Sequence, residues 1–231
     1  MKKSIATNLT LLIVILFSLN TAQAANEKRV LIFGDSLMEL VSRSMRREIN
    51  RNPSMESESV VSIGSGLARM DLFDWNERIQ GAVEDFEPNI AVVMIGANDN
   101  QPMKTDSGTV ALGTPEWSRE YRRRVAHMVE ILTDGGVEKI YWIGMPDMRT
   151  ANLQRETIRI NEIVRERANA DRNIEYIDTV QMFSVEPGKF SPYIIDRNTA
   201  MPVHVRNPDG VHLNRAGADM LSKHVLELIG D

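Results

Sequence analysis

Serine, histidine and aspartate side chains occupy positions from which they could together transfer an acyl group. Ser36 follows a short apolar run and precedes a segment with helical spacing, so its hydroxyl is expected beside a helix N-terminus, which favours negative charge. Asp209 and His212 are three residues apart across a turn that contains Gly210. This spacing lets the carboxylate bind one imidazole nitrogen while the other nitrogen acts as a general base. The alternatives are a helix cap at Ser36 and an aspartate cap beside an incidental surface histidine.

Two further strand ends carry groups that could stabilise an oxyanion. Asn98 follows an apolar run and would present a neutral amide N–H. The alternative for Asn98 is an Asx turn. Gly64 and Gly66 follow another predicted strand, and either could offer a backbone N–H. Their segment ends in Arg69 where a dinucleotide-binding motif would require glycine, so it matches that motif only in part.

Substrate contacts are expected from charged residues on the same loops. Asp35, Arg69 and Arg206 are the predicted substrate-binding residues. Arg149 and Arg197 also lie on predicted loops at this side of the molecule. Together these arginines could bind an anionic substrate such as a uronate or a phosphate. The alternative for each arginine is an exposed loop position without a ligand.

Strand-like and helix-like segments alternate along the chain, and they must position these groups. Strands are predicted at 29–33, 59–63, 90–95, 139–143 and 174–177, and helices at 37–50, 71–86, 117–133, 152–170 and 215–229. The apolar strands are too continuous for a sheet with one exposed face, so they predict a parallel sheet covered by helices on both sides. Right-handed crossovers then give a doubly wound, three-layer α/β fold in a single domain.

Three segments, 98–116, 144–151 and 179–214, are longer than this fold requires. All three follow the carboxyl ends of predicted strands, where open α/β sheets bind ligands. Within the last segment, residues 193–195 and 202–205 predict a small hairpin over the edge of the sheet.

The first 24 residues have the features of a secretory signal peptide. Lys2 and Lys3 precede an apolar run at 9–19, and Ala22-Gln23-Ala24 provides a small-residue cleavage site. Cleavage would leave residues 25–231 in the periplasm or outside the cell, without a stable membrane anchor. Losing the two lysines leaves 25 basic and 32 acidic residues, a formal net charge of −7. The alternative is an uncleaved N-terminal anchor.

Composition excludes several classes of function. The chain contains no cysteine, which excludes a disulfide scaffold, a thiolate zinc site and a cysteine nucleophile. The acidic balance argues against a nucleic-acid partner. The spacing of His, Asp and Glu predicts no metal site. The basic run Arg122-Arg123-Arg124 is predicted to be a solvated helix face.

The chain resembles the SGNH (GDSL-type) hydrolase superfamily, in particular its exported bacterial members. The resemblance rests on three blocks in the expected order: Gly34-Asp35-Ser36-Leu37, Gly96-Ala97-Asn98-Asp99 and Asp209-Gly210-Val211-His212. It implies a three-layer αβα flavodoxin-like fold with five parallel strands in the order 2-1-3-4-5.

The resemblance also implies roles for individual residues. Ser36 would be the nucleophile and His212 the base, with Asp209 orienting His212. Asn98 and the backbone N–H groups of Ser36 and Gly66 would form the oxyanion hole. No metal or organic cofactor is required for this chemistry.

The leading functional hypothesis is an exported esterase. It would cleave or transfer O-acyl groups, chiefly O-acetyl groups, on carbohydrate or cell-envelope substrates. One alternative is a lipid-directed esterase, lysophospholipase or thioesterase. Its apolar channel could be lined by Met145, Met148, Met182, Phe183, Phe190 and Met201. Another alternative is a non-catalytic binding module of a polysaccharide-assembly complex. The sequence does not distinguish hydrolase from transferase, because only the second acceptor differs.

Overall fold

Five parallel strands form the central sheet in the computed structural model, which describes residues 27–196 and 199–230. The strands in chain order are β1 (Lys28–Gly34), β2 (Met55–Val61), β3 (Ile90–Met94), β4 (Met103–Thr105), β5 (Gly108–Val110), β6 (Lys139–Ile143), β7 (Ile174–Ile177), β8 (Tyr193–Ile195) and β9 (Pro202–His204). The main sheet has the order β2-β1-β3-β6-β7, with every neighbouring pair parallel. This is the predicted 2-1-3-4-5 order, which is therefore confirmed.

Helices cover both faces of this sheet. They are α1 (Met38–Ile49), α2 (Trp75–Phe86), α3 (Pro115–Asp134), α4 (Ala151–Asn169), α5 (Thr179–Phe183) and α6 (Arg215–Gly230). Helix α1 packs against α6, while α2, α3 and α4 pack in series. None of the described helices combines the length and the apolar character needed to cross a bilayer.

The sheet interior explains why the predicted strands are so apolar. Val30, Leu31, Ile32 and Phe33 are consecutive in β1, and all four side chains are fully buried. Because consecutive side chains of a strand point to opposite faces, both faces of β1 must be covered. The carboxyl ends of β1, β2 and β3 are therefore fixed side by side by a packed core.

Two elements begin four residues away from their predicted starts. Strand β2 begins at Met55, four residues earlier than predicted, because it is the half-exposed edge strand and carries Glu56 and Glu58. Helix α2 begins at Trp75 because Asp74 caps it. The Asp74 side chain accepts hydrogen bonds from the backbone N–H groups of Asn76 and Glu77.

The predicted hairpin at β8–β9 is present, with antiparallel pairing. The β4–β5 hairpin and the short helix α5 were not predicted from the sequence, and both lie in the long segments after strand ends. The predicted signal peptide and Arg197 lie outside the described residues.

Candidate active site

Ser36, His212 and Asp209 form a continuous chain of hydrogen bonds. Ser36 lies on the turn between β1 and α1, and the two other residues lie on the turn before α6. His212 Nε2 is 2.8 Å from Ser36 Oγ, and His212 Nδ1 is 2.8 Å from Asp209 Oδ2. The packing of α1 against α6 brings these two turns together. The arrangement has the geometry of a nucleophile, a base and an orienting carboxylate.

The turn that carries the imidazole is fixed by its own backbone. Asp209 Oδ1 accepts hydrogen bonds from the N–H groups of Val211 at 2.7 Å and His212 at 3.0 Å. Partial burial acts to raise the pKa of Asp209, but these backbone hydrogen bonds and His212 outweigh it and lower the pKa. The carboxylate therefore stays ionised and accepts from Nδ1, which leaves Nε2 to accept the Ser36 hydroxyl proton.

Arg149 and Arg206 donate hydrogen bonds to backbone carbonyls of this turn. The backbone N–H of Arg149 donates to the Gly210 carbonyl at 3.0 Å, and its guanidinium donates to the Pro208 carbonyl. Arg206 donates through Nη2 to the Val211 carbonyl at 3.0 Å. Arg206 is fully buried, and this burial lowers its pKa to about 10. The buried Arg206 side chain holds the turn, and a contact between Arg206 and substrate stays a prediction.

Hydrogen-bond donors converge at the ends of the three neighbouring strands β2, β1 and β3. Within the described residues, no protein acceptor binds the backbone N–H of Ser36 or of Gly66. Asn98 Nδ2 donates to the Ser65 carbonyl at 2.8 Å, and the amide has a second N–H to offer. Gly64 instead lies in an exposed turn with φ +78°. The geometry therefore favours Gly66 over Gly64 as the donor of this segment.

Asp35 connects two of these strand ends. Its side chain is fully buried. Oδ1 accepts from the N–H of Leu37 at 2.9 Å, and Oδ2 accepts from the N–H groups of Gly96 at 2.8 Å and Ala97 at 2.9 Å. Burial raises the pKa of Asp35 to about 6 despite these hydrogen bonds. Both oxygens of Asp35 join the loops after β1 and β3, and a contact between Asp35 and substrate stays a prediction.

Asp99 performs a similar function for the segment that carries Gly66. It is fully buried, and it accepts from the N–H of Ala68 at 2.8 Å and from the N–H of Leu67 at 2.9 Å. The Tyr121 hydroxyl also donates to it at 2.8 Å. A Cβ atom on Gly66 would lie only 2.1 Å from Asp99 Oδ1, so this position requires glycine. Burial raises the pKa of Asp99, and the hydrogen bonds from Ala68, Tyr121 and Leu67 act against that rise by stabilising the carboxylate.

Arg124 holds the same segment from the opposite side. It is 8% exposed, and its Nη1 donates to the carbonyls of Leu67 and, at 3.1 Å, Ala68. Glu120 binds its Nε at 2.8 Å. The prediction of a fully solvated Arg122–Arg124 face is therefore wrong at Arg124.

The sequence does contain a signal for this arrangement. Trp117, Tyr121, Arg124, Val125 and Met128 share one buried stripe of α3. A tyrosine and an arginine at apolar-stripe spacing indicate polar groups that face the interior and need partners there.

Arg69, another predicted substrate-binding residue, binds a neighbouring acid. Arg69 forms a two-pronged ion pair with Asp71, at 2.7 and 2.8 Å.

Of the residues proposed to line an apolar channel, Met145, Met148 and Phe183 are buried in the core. The structure therefore does not bring those six side chains together around an open channel.

The strand order, the layers and the serine-bearing turn define the fold of the SGNH hydrolase superfamily. The chain belongs to the family described as "Protein of unknown function (DUF459)", whose model matches residues 29–228. No curated protein matches the chain in sequence.

Solved structures share this fold at low sequence identity. A catalytic mutant of an acetylxylan esterase from Geobacillus stearothermophilus has a TM-score of 0.60 and 16% identity, over 88% of this chain and 94% of that chain. A GDSL-like lipase from Bacteroides thetaiotaomicron has a TM-score of 0.58 and 17% identity, over 91% and 95%. The catalytic domain of a peptidoglycan O-acetyltransferase from Streptococcus pneumoniae has a TM-score of 0.54 and 14% identity, over 87% and 92%.

Proposed function

We propose that the protein is an exported serine esterase that cleaves or transfers O-acetyl groups on carbohydrate or cell-envelope substrates. The observation that carries this proposal is the unbroken hydrogen-bonded chain from Asp209 through His212 to Ser36, with distances of 2.8 Å at both steps. The backbone N–H groups of Ser36 and Gly66, which have no acceptor among the described residues, lie with the amide of Asn98 at the same edge of the sheet.

The proposed reaction proceeds in two steps. His212 takes the proton of Ser36 while Ser36 Oγ attacks the ester carbonyl, and the resulting oxyanion is held by the backbone and amide N–H groups. Collapse expels the alcohol, which receives its proton from His212, and leaves an acyl-serine. His212 then takes a proton from water or from a second sugar hydroxyl as that oxygen attacks the acyl group, and it returns the proton to Ser36 Oγ when the acyl–oxygen bond to Ser36 breaks.

The exposure of the site favours a bulky polymer that carries short acyl groups over an ester with a long acyl chain. The side chains of His212 and Asp209 are 33% and 45% exposed, so the base lies close to the surface of the protein. A polysaccharide can approach such a site, whereas a long acyl chain would need an apolar channel. Acetylxylan and peptidoglycan are the substrates named for two proteins of the same fold. Export rests on the predicted signal peptide.

Hydrolysis of p-nitrophenyl esters from acetyl to palmitoyl by the purified protein would test the proposal. We expect turnover of the acetyl ester, a decline with chain length, and complete loss in Ser36→Ala. Ser222→Ala is the matched control, because Ser222 is a buried serine on α6 whose hydroxyl has no partner among the described residues.

Other results would contradict the proposal. Preference for long chains would favour the lipid-directed alternative, and turnover that survives in Ser36→Ala would remove Ser36 as nucleophile. No turnover by folded protein on any simple ester or on acetylated xylan and peptidoglycan would favour a binding module. Export is tested separately by cell fractionation and by whether the mature protein starts at Ala25.

A further inference from the structure

A groove of about 600 Å³ lies beside the turn that carries the imidazole. It runs between the start of α4 and the segment before β8. We call it the basic groove and define it by five of its lining residues: Arg149, Arg155, Ile158, Lys189 and Phe190.

The charge on this lining is of one sign. Arg149, Arg155 and Lys189 contribute three cations, and no acidic side chain among the described residues lines the groove. The chain as a whole is acidic, with a net charge of −5, so the positive charge is a local feature. Glu186 pairs with Lys189 from outside the lining, and this exposed pair is weak. The buried Glu156 also lies outside the lining, and it pairs with both Arg155 and Arg159.

Arg149 has no carboxylate within ion-pair distance in the described part of the chain. Its guanidinium lies 4.6 Å from the centre of the Phe190 ring. Contact with an aromatic face holds a guanidinium in place without neutralising it.

Arg206 adds a buried positive charge beside Phe190 of the basic groove. Its guanidinium is fully buried, 4.8 Å from the same Phe190 ring, and its Nε and Nη1 have no hydrogen-bond partner in residues 27–196 and 199–230. Asp147 and Asp209 are the acids that act on this charge from a distance. A buried cation without a paired carboxylate leaves a positive potential that favours an anion nearby.

The basic groove is in direct contact with the candidate active site. Arg149 binds the Gly210 carbonyl through its backbone N–H, and a Cβ on Gly210 would lie 2.4 Å from the Arg149 Cβ. Gly210 is within the turn that holds Asp209 and His212. A polymer whose acylated sugar reaches Ser36 could therefore place a neighbouring residue in the groove.

We propose that the basic groove binds an anionic group, a carboxylate or a phosphate, on the polymer that carries the acyl group. This inference rests on the proposed function and specifies its substrate as an acidic glycan. The planar guanidinium of Arg149 suits two-pronged binding of such a group. Ile158 and Phe190 provide apolar surface for the face of a sugar ring.

Binding by the full chain carrying Ser36→Ala tests this inference independently of turnover. Calorimetric titration would use oligogalacturonate as the carboxylate probe, poly(glycerol phosphate) as the phosphate probe, and oligogalactan as the neutral probe. We expect at least one anionic probe to bind, with affinity that falls as salt is raised. Comparison of the two anionic probes identifies the preferred group.

Charge-removing variants then locate the binding. We expect Arg149→Gln to weaken binding of the anionic probe about tenfold, the value of one charge-assisted hydrogen bond. Lys189→Gln should weaken it about threefold to tenfold with an unchanged melting temperature, because Glu186 is the one partner of the exposed Lys189 ammonium within the described residues. Arg78→Gln removes the same charge from an exposed position on α2 and should leave the affinity unchanged.

Three outcomes would overturn the inference: equal binding of the neutral probe, equal weakening by Arg78→Gln, or no binding of any anionic probe. These outcomes leave the esterase proposal intact if Ser36-dependent ester hydrolysis is found. Conversely, salt-sensitive binding that depends on Arg149 and Lys189 would stand even if the protein hydrolysed no ester.

Discussion

The hydroxyl of Tyr121 donates a 2.8 Å hydrogen bond to the buried carboxylate of Asp99. The same carboxylate accepts the N–H groups of Leu67 and Ala68, which directly follow Gly66. A residue in the second turn of α3 therefore helps to fix the segment that would donate to the oxyanion. In the proposed reaction Tyr121 would be a positioning residue, because its hydroxyl would act on the oxyanion segment through Asp99.

Tyr121→Phe should lower kcat on p-nitrophenyl acetate about tenfold and change KM little, because a hydrogen bond to a charged group is worth about 1.5–3 kcal/mol. The interaction matters most in the transition state, when the oxyanion forms. The matched control is Tyr141→Phe, which removes a tyrosine hydroxyl bound to the Leu228 carbonyl. Equal kcat in Tyr121→Phe and Tyr141→Phe, at equal loss of melting temperature, would refute the positioning role.

Gly66→Ala should destabilise the protein and abolish most activity. The new Cβ would lie 2.1 Å from Asp99 Oδ1, so the hydrogen bonds from the N–H groups of Leu67 and Ala68 to Asp99 must break or lengthen. We expect a loss of about 2 kcal/mol or more in the free energy of unfolding, measured with urea. Gly81→Ala in α2 meets no atom within 4 Å and should raise stability by about 0.5–1 kcal/mol. A fully stable and active Gly66→Ala would show that the Asp99 contact is not required.

Asn98→Ala should reduce kcat by about 10²–10³, the usual cost of losing one oxyanion donor. The hydrogen bonds between Asp209, His212 and Ser36 do not involve Asn98 and should survive. Labelling of Ser36 by a fluorophosphonate, followed by mass spectrometry, would report whether the nucleophile is still in place. Asn173→Ala, at an exposed position before β7, is the control. A change of less than threefold in Asn98→Ala would exclude the amide from the reaction.

Titration of Asp35 should give a distinct pH dependence of stability. Its pKa is about 6 in the folded protein, against an ordinary value of 3.8. Between these two values the folded state holds a proton that the unfolded state has lost, so this group makes the free energy of unfolding fall as pH rises. The difference of about 2 pK units corresponds to about 3 kcal/mol.

Asp35→Asn removes this titration. Denaturant unfolding at pH 4, 5, 6 and 7 should therefore show the wild type losing stability relative to the variant as pH rises from 4 to 6. The difference should then stay constant above pH 7. A difference that is flat across the whole range would mean that Asp35 keeps its ordinary pKa, and a change in the opposite direction would mean that folding lowers its pKa.

The sequence predicted the parts of the fold that depend on burial alone. β6 (Lys139–Ile143) and β7 (Ile174–Ile177) have the predicted bounds, because their apolar runs end where the packed layers end. The half-exposed strand β2 begins among glutamates and serines, so hydrophobicity located only its second half. The residues that meet around Ser36 were identified because each follows a strand end or precedes a helix, which places them at one edge.

The direction of individual side chains could not be predicted in this way. Asp35 and Arg206 flank residues of the site in sequence, yet both point into the protein and hold backbone groups. Tyr121 and Arg124 bind groups 22 and 57 positions away in the chain. Such contacts depend on how α3 lies against the loops, and that geometry is set by the packing of the whole domain.

Ser36 and His212 share a hydrogen bond although 176 positions separate them in the chain. A growing polypeptide therefore makes its proposed nucleophile early and its proposed base only near the end of synthesis. A chain that stops before residue 207 would contain Ser36 and the proposed oxyanion segments but would lack Asp209 and His212. If the proposed function holds, reactivity of Ser36 in the cell would report that translation and folding of the domain have been completed.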